Sequence, residues 1–210
     1  SSCRIDKEKT TRALKNMLDS LDIKDRKCKI YLLQGDLSES EVHSLYTNPS
    51  IKCYVTTTHG EGYGLPIFEA AYSGLPIVAT DWSGHLDFLW GMIAEGKSKK
   101  KKRKKLFAPV ACQLKEIPKE HEWPGVIPSG SRWAFPMENS VRNKMRKVKN
   151  MYGMYKKRAI SLKEQITVSH SEDLIYEKMY DAIFSTESVL EQGRNYKDSD
   201  SFDEEQIMVL

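Results

Sequence analysis

His59-Gly60-Glu61-Gly62-Tyr63-Gly64-Leu65-Pro66-Ile67-Phe68-Glu69-Ala70-Ala71-Tyr72-Ser73-Gly74-Leu75-Pro76-Ile77-Val78-Ala79-Thr80 is the stretch on which the reading of this chain turns. A β-branched run, Tyr54 to Thr58, leads into a loop with three glycines, and the loop leads into a short helix. Gly60, Gly62 and Gly64 can take positive φ and let a ligand reach the main chain with no Cβ in the way. Pro66 suits the first helical turn, where its missing N–H would have had no partner. Gly74 is placed to end the helix, which makes it roughly nine or ten residues long. The N–H groups of residues 64, 65 and 67 are then expected to point out of the helix start and, with the helix dipole, to form a site for phosphate.

Two carboxylates beside an anion site need hydroxyls to bind. Glu61 lies in the loop and Glu69 one turn into the helix. A carboxylate can accept from two neighbouring hydroxyls of a sugar or a ribose, so amides for phosphate flanked by two such acids describe a nucleotide-sugar. The plainer alternative is a glycine-rich βα turn with two solvated glutamates.

The spacing Glu61-(seven residues)-Glu69, with Gly-Tyr-Gly-Leu-Pro inside it and Ala-Ala-Tyr-Ser-Gly-Leu-Pro-Ile-Val-Ala-Thr after it, resembles the donor site of the group 1, glycogen-synthase-like retaining glycosyltransferases. These have the GT-B architecture of two facing Rossmann-like domains. The similarity covers roughly residues 5 to 90 and resumes around Ser131-Arg132-Trp133-Ala134. It implies that Glu61 binds hydroxyls of the transferred sugar as the catalytic-site acid and that Glu69 binds the ribose. It places main-chain N–H groups of Gly62, Tyr63, Gly64 and Leu65 on the sugar and diphosphate, and Gly35, Asp36 and Leu37 where such enzymes hold the base. His59 is a further candidate at the donor edge. No cofactor and no metal are expected, since cationic side chains and helix N-termini neutralise the departing diphosphate in similar enzymes. Ser1 to Lys7 reads as the loop after the domain's first strand, and Arg4, Lys7 and Lys9 are candidates for that cationic grip. The implied partners are a nucleotide-sugar donor, an acceptor, and an N-terminal acceptor domain that 210 residues cannot also hold. The chain is therefore expected to be a donor half, inactive without that domain. A phosphorylase on the same architecture would carry a pyridoxal-binding lysine motif, which is not found.

The rest of the chain fits an α/β fold, a Rossmann-like doubly wound parallel sheet with C-terminal helices. Ile5 to Leu21 reads as an amphipathic helix capped by Asp6, and Lys29–Leu33 as a buried strand. Ser38 with Glu41 forms a capping box for a helix to about Tyr46. Ile51–Thr58 and Ile77–Thr80 are the next strands, so the loops at Gly35, His59 and Asp81 share the carboxyl edge where α/β folds bind ligands. Ser83 could cap a helix through Leu89, with Asp87 either a first-turn acid or a ligand contact. His59 and His85 could each donate to a phosphate or sugar oxygen or simply be exposed; His43, His121 and His170 have no supporting context. Leu106–Cys112 could add a strand, Met137–Leu162 and Ser171–Phe184 are helical, and residues 188–210 form a polar, acidic tail. Residues 1–187 are expected to form one nucleotide-sugar-binding domain, with 91–130 an irregular insertion.

That insertion carries the charge. Residues 97–105 hold eight of the 33 basic residues, and without them 25 basic residues face 29 acidic ones, so the net of +4 becomes −4. The run reads as a lysine-rich, solvated loop. The alternative is an interaction module that touches nucleic acid or an acidic membrane through 97–105, although no aromatic interleaves the lysines to stack bases. No apolar run approaches a membrane span, and the four cysteines form no CxxC pair, which points to a reducing, cytoplasmic setting.

Overall fold

The structure, a computed structural model, describes residues 2–21, 28–94 and 100–184, with side chains from residue 7 onward. The chain divides into two compact units between Leu45 and Tyr46. The tail expected over 188–210 and residues 97–99 of the lysine run lie outside the described residues.

In the first unit, helix α1 spans Ser2–Ser20. It begins ahead of Asp6, so Asp6 lies inside the helix and does not cap it, and the expected loop around Arg4, Lys7 and Lys9 is helical. Lys29–Leu33 is not a strand. Ile30, Tyr31, Leu32 and Leu33 are all exposed; an apolar run becomes a strand only where a neighbour takes its backbone hydrogen bonds. The capping box is present. Ser38 N–H and Ser38 Oγ each donate to Glu41 Oε2 at 2.8 Å, and Glu41 N–H returns to Ser38 Oγ at 3.4 Å. These bonds hold the Glu41 carboxyl below its usual range, the backbone bond first and the hydroxyl second. They open α2, Glu39–Thr47.

The second unit is mixed α/β around a parallel sheet in the order β1 (Tyr54–Val55), β2 (Ile77–Thr80), β5 (Ala108–Val110). Tyr54 pairs with Ile77, and Val78 with Ala108. Of the strand expected over Ile51–Thr58 only two residues form a ladder, fixed by Tyr54 N–H to Pro76 O and Thr56 N–H to Val78 O, both 2.9 Å. All four residues of β2 are buried, because the sheet is covered on both faces. Ile77 and Ala79 pack with Ile67, Ala70 and Ala71 of α3 (Leu65–Tyr72) and with Leu162 and Ile166 of α5 (Tyr152–Ser169). Val78 turns the other way, onto Val110, Tyr155 and Val148, the last on α4 (Glu138–Asn150). The helix expected over 137–162 is thus two helices, broken at Met151, where φ is −116° and ψ 36°. Helix α6, Glu172–Phe184, follows Ser171 as expected but buries none of its residues.

Residues 91–130 are more regular than their sequence suggests. β3 (Trp90–Ile93) pairs antiparallel with β4 (Lys102–Lys105), and β6 (Cys112–Glu116) with β7 (Arg132–Pro136). The lysine run is therefore a strand in its second half and not a loop. Trp90 is what turns it: Arg103 and Lys105 each lie 5.2 Å from its ring centroid, and Lys105 Nζ also meets Asp81 at 2.5 Å. Of the strand expected over Leu106–Cys112, Ala108–Val110 forms the third parallel strand, and Cys112 opens β6 instead. No disulfide joins Cys28, Cys53 or Cys112, and no described helix is long and apolar enough to cross a membrane.

Candidate functional site

Because β1, β2 and β5 are parallel, the segments that follow them leave one edge of the sheet together. Two of those segments, Thr56–Leu65 and Asp81–Asp87, form the candidate site. Helix α3 starts at Gly64, whose φ of +84° only glycine adopts without strain. It ends at Gly74, φ +72°, where Leu75 N–H reaches back to Ala70 O at 3.0 Å and Gly74 N–H to Ala71 O at 2.9 Å. Of the three loop glycines Gly64 is the one at positive φ.

The helix start presents fewer amides than its sequence implies. Ile67 N–H and Phe68 N–H both donate to Gly64 O at 2.9 Å. Ile67 is therefore spent on the first turn, Pro66 has no N–H, and Gly64 and Leu65 are the amides that the turn leaves to an anion. Tyr63 lies over Phe68 and Phe88 at 5.7 and 5.2 Å between ring centroids, and its hydroxyl shares a 3.0 Å hydrogen bond with His170 Nε2. Sequence gave no reason to connect residue 170 with the turn.

Glu61 is half-buried and Glu69 exposed. The tyrosines beside them report where they stand. The Tyr54 hydroxyl is raised above its ordinary range, first by burial, then by the Glu61 and Glu69 carboxylates. Tyr46 is pushed up to about 12 by burial first, then by Tyr54 and by Glu69, toward which its hydroxyl is directed. Its ring meets that of Tyr54 edge-on, with centroids 6.0 Å apart. Both acids therefore bear on one small region lined by two phenols, neither of which sequence reasoning singled out.

The other expected residues are placed differently. His59 turns toward β7: its ring stacks on Trp133 at 5.1 Å, its Nδ1 bonds Ala134 O at 2.8 Å, and its own carbonyl accepts from Ala134 N–H at 3.1 Å. It edges a shallow cavity of about 530 Å³ with Phe135, Val141, Arg142 and Met145, which takes in neither Glu61 nor Glu69. His85 is buried completely, with Nε2 on Thr80 O at 2.7 Å. It is a structural anchor, neither an exposed phosphate donor nor a solvated loop residue. Ser83 does not cap a helix; residues 84–87 form a single 3₁₀ turn, and Asp87 is exposed in it. Gly35, Asp36 and Leu37 belong to the first unit, where Gly35 has φ +151° and Asp36 and Leu37 are exposed. Lys7 and Lys9 are exposed on α1. Among the described residues no group of three or more His, Cys, Asp or Glu is placed to hold a metal ion.

Comparison with curated proteins and with solved structures found no match. Comparison with protein families did: residues 5–90, the segment that carries the Gly60–Leu65 turn and both glutamates, are similar to the family described as Glycosyl transferases group 1.

Proposed function

We propose that this chain binds a nucleoside-diphosphate sugar at the Gly60–Leu65 turn and is the donor half of a retaining glycosyltransferase. The observation that carries the reading is the geometry of the turn: Gly64, at positive φ, opens α3 between Glu61 in the loop and Glu69 in the helix, and the first helical turn takes the Ile67 and Phe68 amides but not those of Gly64 and Leu65. Two acids converging beside the helix-start amides of Gly64 and Leu65 suit a ligand that is anionic in its middle and rich in hydroxyls at both ends. Glu61 binds the hydroxyls of the sugar and Glu69 those of the ribose, while the turn from Gly62 to Leu65 meets the diphosphate.

In the transfer, the bond between the anomeric carbon and the diphosphate oxygen breaks and its electron pair leaves with the diphosphate. The acceptor oxygen bonds to the same face of that carbon, and its proton departs on the leaving phosphate. Fixed amides and the positive end of α3 stabilise that charge, a type of contribution worth about 3 kcal/mol per donor in a dry site. The acceptor site belongs to a second domain, so the chain by itself binds donor without transferring sugar.

Titration calorimetry of the full chain tests the reading. Uridine, guanosine and adenosine diphosphates and their glucose or mannose esters are the probes. One base series is expected to bind with Kd between about 10 μM and 1 mM. Glu69→Ala should weaken both forms, and Glu61→Ala only the sugar ester. No heat with any probe at millimolar concentration rejects the reading.

A further inference from the structure

Ser83 has φ +87° and ψ −175°, and it is the one non-glycine residue at positive φ among those described. That backbone region is essentially a glycine's, so a serine there calls for a reason. Its hydroxyl supplies one. Ser83 Oγ accepts from Glu61 N–H at 2.8 Å and donates to Glu61 O at 2.6 Å, and Gly84 N–H donates to the same oxygen at 3.0 Å. Residues 83 and 84 thus take both polar groups of the Glu61 backbone. They also lie against the next peptide: a Cβ on Gly84 would stand 1.9 Å from Gly62 O. The brace is itself anchored, since the following residue, His85, is fully buried and holds Thr80 O at the end of β2.

Glu61 sits among Gly60, Gly62 and Gly64, the residues that lose most freedom on ordering. A carboxylate on so pliant a segment has no fixed direction unless something outside the segment holds its backbone. A glycine at 83 would accept the φ at no cost but could not make either hydroxyl bond.

We propose that Ser83 is a positioning residue for Glu61: its strained backbone lays one hydroxyl across the Glu61 peptide, and this pre-orients the carboxylate toward the sugar. The sugar part rests on the donor-site reading above; the brace does not. Two variants separate the hydroxyl from the strain. Ser83→Gly removes both, and Ser83→Ala removes the hydroxyl alone. Hydrogen exchange at the Glu61 amide, followed in the full chain, should accelerate roughly five- to tenfold in both variants, the scale of one lost hydrogen bond. Ser83→Gly should nevertheless melt above Ser83→Ala, because it alone relieves the backbone. In calorimetry, affinity for the sugar esters should fall roughly tenfold in both, while that for the plain diphosphates changes less than twofold. Unchanged exchange at Glu61 overturns the proposal, and so does exchange that merely follows the melting order. A wild-type chain that binds no probe overturns the donor reading and the sugar half of the proposal, whereas the brace is still decided by exchange.

Discussion

The donor turn, Gly60–Leu65, and the basic hairpin, β3–β4, are both polar insertions at the margin of one small sheet, yet they owe their shapes to different things. The turn is set by its own residues and by backbone contact: Gly64 at positive φ, Pro66 in the first helical turn, Gly84 fitted against Gly62 O. The hairpin is set by side chains. Seven consecutive cations, Lys99 to Lys105, would repel one another in a free loop. Over Lys102–Lys105 a strand sends alternate ones to opposite faces, and the pair on Trp90's face, Arg103 and Lys105, finds that ring. Where main chain packs directly on main chain, as at Gly84, no atom can be added, whereas a hairpin made of long side chains can give. The comparison makes separate forecasts for the two regions.

The largest effect belongs to the turn. In Gly84→Ala the new Cβ would meet main-chain atoms at 1.9, 2.8 and 2.9 Å, none of which can rotate away. A loss of about 3 kcal/mol in denaturant unfolding, or no soluble protein, is expected. Gly62→Ala, with nothing within 4 Å of its Cβ and an ordinary φ, should stay within about 0.5 kcal/mol of the parent. Equal midpoints for the two variants would erase the claim that the turn is gripped from residue 84.

The hairpin should lose less. Trp90→Ala strips both cations of their ring and is expected to cost about 2 kcal/mol. Lys105→Met, which breaks the partly exposed bridge to Asp81 but keeps the aliphatic stem, should cost about 1 kcal/mol or less. Lys102→Ser, at an exposed position, should be neutral within about 0.5 kcal/mol. If Lys102→Ser matched Trp90→Ala in urea melts, the strand would be held by charge along its whole length and not by its packing on one ring.

How much of this can be read in advance follows the same divide. The turn, helix α3 and β2 are legible because glycine, proline and a short apolar run act through neighbouring residues. The capping box of Ser38 and Glu41 is legible for the same reason. What could not be read depends on partners distant in sequence. Lys102–Lys105 becomes a strand only because Trp90–Ile93 runs beside it, and a lysine run has no strand pattern of its own. Lys29–Leu33 carries that pattern and forms none. The histidines make the point most sharply: His59, His85 and His170 look alike as loop residues, yet one stacks on Trp133, one is buried on Thr80 O and one bonds Tyr63. Ser83 reads as a helix cap, but its hold on Glu61 exists only once two strands lie side by side.

The smallest expected effect sharpens the contrast at the level of single charges. Asp81, beneath the hairpin, meets an ammonium, whereas Glu69, beside the turn, faces the neutral phenol of Tyr46. That phenol, unlike an ammonium, brings no positive charge to the Glu69 carboxyl, and it holds its proton up to about pH 12. In the unfolded chain that proton leaves near pH 10. The folded form thus binds more protons in between, and the contribution of Tyr46 to stability is complete below about pH 10 and lost as pH rises toward about 12. Glu69→Gln removes the charge but not the burial or Tyr54. The Tyr46 titration, read as phenolate absorbance against Tyr46→Phe, should move down from about 12 without reaching the ordinary value, and the alkaline fall in stability should become shallower. An unmoved titration would mean that Glu69 does not lean on Tyr46, and the two acids would no longer converge on one place.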